Sequence, residues 1–415
     1  MTAPDYLTTR QEWRRGWHIV ASSHVGIGVG AGLYFYTSSL FVVPASETFG
    51  WTRGEISAGA ALGLLGSLSA PLIGRLADRY GARIVAGISM VLIGLVFVAL
   101  SQVSGPYWQF VVLSALFGIV APGATALTFS RVVTGWFDRA KGQALGFMAA
   151  GGSIGALLLT PFIAYMLANY GIEGGYLSLA ALAMFLGAPV VLVFMKDRTH
   201  DDEPTPQEPI ESETDPAPKQ RIWATIRSRS FVALAVSVFC TNVPTSGVLT
   251  QLEPLLLANG VKNTAPLISL YAIVVLIGRI GIGWLFDRGD ARYIAASFTL
   301  IAAAGCLMFL SGAPGWMTIA AMIFVGLMQG MEVDAIGYFV AQQFARDTFG
   351  LMFGLLLTIS LLGTALGIVG FGMLYDATQS YDLALTIAAG VMAIAFISYL
   401  AIPGQGMQRP MRTSL

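Results

Sequence analysis

Apolar residues in this chain arrive in blocks of about 20 to 28 residues, long enough to cross a hydrocarbon layer of about 30 Å as helices. Hydrophobic residues make up 55% of the sequence and charged residues 11%, against roughly 25% charged in an average soluble domain. A soluble fold of this size would lack polar surface. The sequence therefore predicts an all-α membrane protein.

The blocks predict twelve transmembrane helices. The predicted spans lie near residues 17–43, 53–76, 82–103, 106–130, 141–168, 174–195, 231–258, 264–286, 291–312, 315–344, 348–375 and 382–402. The first block is too long for a signal-peptide core and no small-residue cleavage site follows it, so we interpret it as a retained helix.

One long polar stretch separates the sixth predicted span from the seventh. Residues 196–221 contain five prolines and eight acidic residues, a composition that cannot bury enough apolar surface to offset the entropy lost on ordering. We therefore predict a disordered linker over 196–229 between two six-helix bundles, 1–195 and 230–415.

Lys and Arg predict the orientation. If the N-terminus is cytoplasmic, 20 basic residues fall on the cytoplasmic side and only Arg53 and Lys262 fall outside. This asymmetry predicts cytoplasmic termini and a cytoplasmic linker, in a multi-pass protein of the inner membrane. One further base, Arg279, lies inside a span.

A loop motif occurs twice, once in each half. GRLADRYGAR follows the second span and GWLFDRGDAR follows the eighth, with the glycine, aspartate and arginines at identical spacing. This repeat indicates a duplicated chain with two pseudo-symmetric halves. We predict that the two loops form a latch that gates transport, with ordinary loop solvation as the alternative. The residues concerned are Gly74, Asp78, Arg79, Arg83, Gly283, Asp287, Arg288 and Arg292.

Paired glycines also repeat between the fifth and eleventh spans. Gly-x-x-x-Gly spacing brings small residues together where two helices cross closely, and packing alone would explain it. The paired positions are Gly142, Gly146, Gly151 and Gly155 in the first half, and Gly350, Gly354, Gly363 and Gly367 in the second.

The paired loops resemble the cytoplasmic loop motif of the major facilitator superfamily. Three further features resemble the monocarboxylate porter and oxalate/formate antiporter group. They are the segment FVVPASETFGWTRGEIS after the first span, the segment WFDRAKGQALGFMAAGGSIG at the start of the fifth span, and Arg279 in the eighth span. This resemblance implies two six-helix bundles, a central cavity and alternating access, with Arg279 binding the substrate carboxylate. The chain departs from that group at Leu356, where the oxalate exchanger has a second cation, and at Val275, where animal carriers have an acid.

Two acids lie deep in the tenth span. Glu332 and Asp334 are roughly 21 and 18 Å from the cytoplasmic end at 1.5 Å per residue, and an ionised carboxylate at that depth costs several kcal/mol unless it is paired, hydrated or protonated. They point to opposite sides of the helix, so we predict that one of them couples transport to protons. His24 is a further proton-coupling candidate. A helix-to-helix hydrogen bond is the alternative for each of the three.

Several polar side chains could donate hydrogen bonds to a carboxylate. They are Tyr34, Tyr36, Asn242, Gln251 and Tyr338, the last on the same helix face as Asp334. Packing is the alternative for each.

Other function classes find no support in the sequence. No Walker-type loop, metal-ligand cluster or catalytic constellation is present, so neither an enzyme nor a cofactor or metal is expected, and a net charge of zero argues against nucleic acid. We predict a monomeric secondary transporter of small organic anions, including monocarboxylates and aromatic or hydroxy acids, that works by proton symport. An anion exchanger of the oxalate/formate type and a drug or neutral-solute exporter remain alternatives.

Overall fold

The computed structural model describes residues 8–66, 69–137, 140–197, 223, 225–286, 288–310, 315–344 and 349–403, without the side chains of residues 65, 66, 283, 284, 333, 334, 349 and 350. All regular secondary structure in these ranges is helical.

The first half forms ten α-helices over its described residues. They are α1 (Thr9–Val29), α2 (Ala31–Thr37), α3 (Val42–Phe49), α4 (Arg53–Gly66), α5 (Ala70–Tyr80), α6 (Ala82–Ser101), α7 (Tyr107–Val120), α8 (Ala126–Trp136), α9 (Lys141–Ala181) and α10 (Ala188–Phe194). Single turns of 3-10 or π geometry join several of them, at Ser38–Phe41, Ala121–Ala124 and Leu182–Gly187.

The second half forms seven α-helices over its described residues. They are α11 (Arg229–Thr250), α12 (Leu252–Ala258), α13 (Ala265–Phe286), α14 (Ala291–Met308), α15 (Gly315–Gln343), α16 (Phe349–Thr378) and α17 (Asp382–Leu400).

Helix α1 begins before the predicted first span because a polar segment caps it. The Thr8 hydroxyl accepts a hydrogen bond from the backbone of Gln11, and the Gln11 side chain accepts one from the backbone of Thr8 at 2.8 Å. This capping box satisfies two backbone N–H groups that the first turn leaves without partners. Hydropathy detects only the apolar part of a helix, so α1 extends beyond the start of the predicted span near residue 17.

Nine helical stretches in the described ranges are long and apolar enough to cross a membrane. A bent pair, Gly315–Glu332 and Ala335–Gln343, meets at 42° and would make a tenth. One of the nine, Lys141–Phe194, has 54 residues, roughly 81 Å of helix at 1.5 Å per residue. That length exceeds the hydrocarbon layer of about 30 Å more than twofold.

The long stretch is broken at Gly171. This residue has φ 64° and ψ −164°, a conformation that strains any residue with a Cβ atom. The break falls between the predicted fifth and sixth spans, so the apolar run reverses or bends where the sequence places a loop.

Two equivalent glycine pairs bring helices into backbone contact. A Cβ atom at Gly151 or Gly155 of α9 would overlap the carbonyl oxygens of His24 and Gly28 on α1. In the second half, Gly363 and Gly367 of α16 face the carbonyl oxygens of Phe239 and Val243 on α11 in the same way. The same crossing therefore occurs in each half, four residues apart on both helices.

The remaining described glycines of the repeat do not lie at such crossings. A Cβ atom at Gly142, Gly146 or Gly354 would meet nothing within 4 Å. The prediction of two close-packed pairs per helix was therefore wrong for the first pair of α9, because glycine spacing alone does not say which face meets a neighbour.

Each half has a core of its own. The first includes Ile19, Phe129 and Phe137, and the second includes Phe339 and Tyr399. Contacts divide the chain into two compact units, Met1–Gln207 with Asn263–Ile273, and Glu208–Lys262 with Val274–Leu415. The predicted linker 196–229 lies largely outside the described residues, and the division at 195 and 230 stays a prediction.

Candidate functional site

Arg279 lies on α13 beside the closest crossing of α13 with α15. A Cβ atom at Gly330 of α15 would lie 2.8 Å from the backbone nitrogen of Arg279, and one at Gly278 would lie 2.6 Å from the carbonyl oxygen of Leu327. The Arg279 residue is half-buried. Because both helices use glycine here, no side-chain layer separates the backbone that carries Arg279 from the helix that carries Glu332.

Glu332 lies two residues beyond Gly330 on α15. It is 8% exposed, and its Oε1 atom accepts a hydrogen bond from the Thr245 hydroxyl on α11. Among the residues that the structure describes, no base forms an ion pair with this carboxyl group. A buried carboxyl group held by a neutral hydroxyl is suited to gaining and losing a proton, since ionisation has no fixed countercharge there.

Asp334 follows two residues later, and its side chain lies outside the described residues. Its neighbour Tyr338 donates a hydrogen bond to the carbonyl oxygen of Phe286 at 3.1 Å, and the two rings are 4.7 Å apart. Tyr338 thus holds the last turn of α13 to α15.

Asn242 joins α11 to α16. Its amide nitrogen donates to the carbonyl oxygen of Val238 at 2.9 Å, and its amide oxygen accepts from the Thr364 hydroxyl at 3.2 Å. The side chain is buried. These bonds give Asn242 a structural use, and they leave one amide N–H for any ligand.

Gln251 directly follows the last residue of α11 and is fully buried. Its Oε1 atom accepts a hydrogen bond from the Tyr381 hydroxyl at 2.8 Å, which ties α11 to the start of α17. The structure therefore places Gln251 in a helix-to-helix contact.

The two candidate tyrosines of the first half lie in different surroundings. Tyr34 sits among aromatic rings, with ring centroids 5.2 Å from Phe97 and from Phe117. The hydroxyl of Tyr36 lies 3.3 Å from the hydroxyl of Ser153 on α9. Tyr34 is thus part of an aromatic core, while Tyr36 belongs to the contact of α2 with α9.

His24 lies on α1 with its Nδ1 atom 2.7 Å from the carbonyl oxygen of Phe147 on α9. A carbonyl oxygen only accepts, so Nδ1 carries the proton of this bond. The imidazole is thereby fixed in one orientation at the α1–α9 contact.

The first loop motif is held by an arginine that the sequence analysis did not assign to it. Arg131, in the middle of α8, forms an ion pair with Asp78 at 2.7 Å and donates a hydrogen bond to the carbonyl oxygen of Gly74 at 2.8 Å. Both side chains are largely exposed, so the pair contributes about 0–1 kcal/mol. Its importance is geometric: the motif's aspartate joins α5 to α8 inside the first unit.

An acid that the sequence analysis did not assign to the loop motif caps α6. The Asp197 carboxylate accepts from the backbone N–H of Arg83 at 3.1 Å. Gly81 precedes α6 with φ 89°, and a Cβ atom there would lie 2.5 Å from Asp197 Oδ2. Glycine is needed at this position both for its φ and for the space that the carboxylate takes. The guanidinium of Arg79 lies 5.3 Å from the ring of Tyr80.

The second loop motif caps its helix locally. Asp290 accepts from the backbone N–H of Arg292 at 3.2 Å and from its Nε atom at 2.8 Å. Arg288 is exposed and Gly283 lies within α13, while Asp287 lies outside the described residues. Asp290 and Gly81 occupy equivalent positions in the two motifs, so the halves cap equivalent helices with different residues.

No cluster of three or more His, Cys, Asp or Glu side chains in the described part of the chain could hold a metal ion. Cys240 and Cys306 are both buried.

Comparison with known proteins gives a consistent result. A family model described as Major Facilitator Superfamily matches residues 25–367 and again 265–410. The chain is 22% identical over 403 residues to the uncharacterized MFS-type transporter YcxA of Bacillus subtilis (strain 168), covering 94% of each chain. It is 24% identical over 411 residues to monocarboxylate transporter 11 of Mus musculus, covering 94% of this chain and 87% of that one.

Other similar proteins are named for different functions. The chain is 23% identical over 336 residues to the fujikurins efflux protein of Gibberella fujikuroi (strain CBS 195.34 / IMI 58289 / NRRL A-6831), covering 78% of this chain and 68% of that protein. A crystal structure of a mutant of the nucleoside transporter NupG superimposes with a TM-score of 0.75 at 12% identity, over 92% of this chain and 99% of that one. At that identity the likeness shows the fold alone.

Proposed function

Because the chain belongs to the Major Facilitator Superfamily, we propose that it carries small organic anions, monocarboxylates foremost, across a membrane by alternating access. Membership confirms the family that the loop motifs predict. It makes the chain a multi-pass membrane transporter of small molecules and not an enzyme.

The observation that carries the substrate class is the position of Arg279. A guanidinium within a membrane span needs an anion or a hydrated cavity, and its planar fork binds a carboxylate bidentately. Glycine at the α13–α15 crossing places this residue against the helix that carries Glu332. A fixed cation and a protonatable carboxyl group on adjacent helices are the two elements that anion–proton symport requires.

Charge balance sets the mechanism we propose. A monocarboxylate brings one negative charge, which Arg279 meets, and one proton neutralises Glu332 while the site moves between the two sides. The sum of substrate and proton is zero, so net uptake is driven by the pH gradient and is insensitive to the membrane potential.

The membrane topology is proposed to be twelve helices in two bundles, 1–195 and 230–415, with a cytoplasmic linker and cytoplasmic termini. The break at Gly171 divides the Lys141–Phe194 run and supports two spans there. The bent pair of α15 supports one span. Helices α4 and α5, which flank residues 67 and 68, support one more. The basic residues, 20 against 2, support the orientation. Placement in the inner membrane and a monomeric state belong to the same proposal.

Purified protein in proteoliposomes tests the function directly. Uptake of labelled acetate, lactate and benzoate is measured with a pH gradient alone, and then with a potassium diffusion potential alone. Electroneutral symport predicts uptake in the first case and none in the second. Uptake that instead requires an internal counter-anion and ignores pH would identify an exchanger of the oxalate/formate type.

A drug or neutral-solute exporter is the second candidate function, favoured by the similarity to the fujikurins efflux protein. In that case Arg279 would be structural. Two results together would establish the exporter. The wild-type protein would bind no carboxylate in a thermal-shift screen, and the Arg279→Gln protein would be folded and would still bind neutral solutes.

A further inference from the structure

A cavity of about 570 Å³, open along most of its length, lies between α1 and α9 in the first unit. Its volume falls in the range of about 300–1,000 Å³ that small-molecule sites occupy. The walls include Trp13, Trp17, Val20, His24 and Phe147. The lining is therefore largely aromatic, with one imidazole as its polar group.

Two of the wall residues turn most of their surface away from the helices that carry them. Trp17 is 60% and Phe147 is 61% exposed. Trp13 stands behind them, with its ring 5.6 Å from that of Phe147 in an edge-on arrangement, and its indole N–H donates to Gln143 at 3.4 Å. The back wall is thus fixed, while the front presents open aromatic faces.

The imidazole has a free nitrogen for a ligand. Nδ1 of His24 is used by the carbonyl oxygen of Phe147, and no described residue bonds to Nε2. The backbone of His24 lies directly against Gly151, so this part of α1 is held close to α9. Nε2 is left as a hydrogen-bonding atom among apolar walls.

The charge around the cavity selects an anion. Arg10, Arg14 and Trp17 fall within about 60° of one another around α1 at 100° per residue, and all three are exposed. The acid of this segment, Glu12, is buried and accepts a hydrogen bond from the backbone of Ala140 at 2.9 Å. An organic cation would approach two arginines on the face of α1 that carries Trp17, whereas an anion is attracted to them.

We propose that this cavity is a binding site of its own for aromatic monocarboxylates, with the ring between Trp17 and Phe147 and the polar end at His24 Nε2. The proposal rests on the proposed transport of organic anions and names the class within it. Acetate, which has no ring, would pass without using the cavity.

Equilibrium binding of radiolabelled benzoate to the purified full chain tests the site. Phe147→Ala and Trp17→Ala should each weaken benzoate binding about fivefold to tenfold, since each removes one aromatic wall. His24→Asn, which retains a donor near the Nδ1 position and lacks Nε2, should weaken it by a similar factor. Phe162→Ala is the matched control, because Phe162 is an exposed phenylalanine of the same helix outside the cavity, and it should bind as wild type does.

The outcomes separate this site from the proposed function. Benzoate binding that survives Arg279→Gln and falls with Phe147→Ala supports the cavity, even when proteoliposomes show no carboxylate uptake and the transport proposal fails. Equal benzoate affinity in Phe147→Ala, Phe162→Ala and wild type overturns the cavity, as does loss of benzoate binding in Arg279→Gln. If lipid or detergent occupies the cavity instead, Phe147→Ala, Phe162→Ala and wild type would bind benzoate with equal affinity.

Discussion

The hydroxyl of Thr245 on α11 donates a hydrogen bond to the buried carboxyl group of Glu332 on α15. The bond joins the two helices through residues that are 87 positions apart in the chain. The bond keeps the carboxyl group in place without neutralising it. A proton can therefore arrive and leave while the helix contact persists.

The first prediction concerns that proton. Glu332→Gln should reduce uptake driven by a pH gradient at least tenfold, because an amide neither gains nor loses a proton, while substrate exchange is reduced less. Glutamine retains an oxygen for the Thr245 hydroxyl, so the melting temperature should stay near the wild-type value. Asp334→Asn is the companion variant, and unchanged pH-driven uptake in both would remove the coupling role from α15.

A second prediction concerns Arg279. Arg279→Lys should weaken lactate binding about tenfold or more, because lysine offers a point charge in place of a bidentate fork, and Arg279→Gln should abolish it. Lactate has no aromatic ring, so its binding reports on Arg279 and not on the cavity beside α1. Lactate binding by thermal shift and stability without ligand are measured on the same samples. A folded Arg279→Gln protein with near-native lactate affinity would contradict the substrate role.

The third prediction uses the two kinds of glycine in α9. Gly151→Ala should lower thermal stability markedly, because the added Cβ atom overlaps the His24 carbonyl oxygen and forces α1 away from α9. Gly142→Ala is the matched control, since nothing lies within 4 Å of its Cβ position and alanine favours a helix by about 1 kcal/mol. Equal melting temperatures for the two variants would show that the crossing tolerates separation.

A fourth prediction concerns the acidic caps. Asp197→Ala should cost about 0.5–2 kcal/mol through loss of the α6 cap, and Asp290→Ala a similar amount at α14. Asp197→Asn, which keeps an acceptor oxygen, should recover most of the loss. Chemical-denaturant unfolding of the three variants in one detergent gives the comparison, and an Asn variant as unstable as the Ala variant would argue for charge rather than capping.

The linker supplies the fifth prediction. Its composition indicates no site between Asp201 and Pro216, so deletion of that stretch should leave uptake within about twofold of wild type, since the cost of closing a flexible loop changes slowly with its length. Deletion extended back through Lys196 should be damaging, because the Lys196 carbonyl oxygen accepts from the Trp136 indole at 2.9 Å. Membrane levels are measured alongside to separate transport from expression.

Some of this organisation could be predicted from sequence and some could not. Apolar block length gave the helical membrane class, and the repeated loop motif gave the family and the duplication. The pairing of Asp78 with Arg131 and the capping by Asp197 depend on which helices become neighbours, and helix periodicity carries no such information. Arg131 was visible as a base at the end of a span, opposite a loop acid, and that is the signal that could have identified it.

Tyr338 and Gln251 stay predictions as hydrogen-bond donors for a carboxylate. The structure gives each of them a partner inside the bundle. Polar groups buried in a membrane protein need partners whatever the substrate is, so polarity within a span predicts hydrogen bonding more securely than it predicts ligand binding.

The remote cap of α6 has a consequence for the order of events during synthesis. The backbone N–H of Arg83 has its carboxylate partner only after another 114 residues have been synthesised. Asp290, in contrast, is synthesised immediately before the helix that it caps. The second half can complete this end of its helix as the helix forms. The first half cannot do so until the whole of its last helix has been translated, which makes residue 197 the earliest point at which that half is finished.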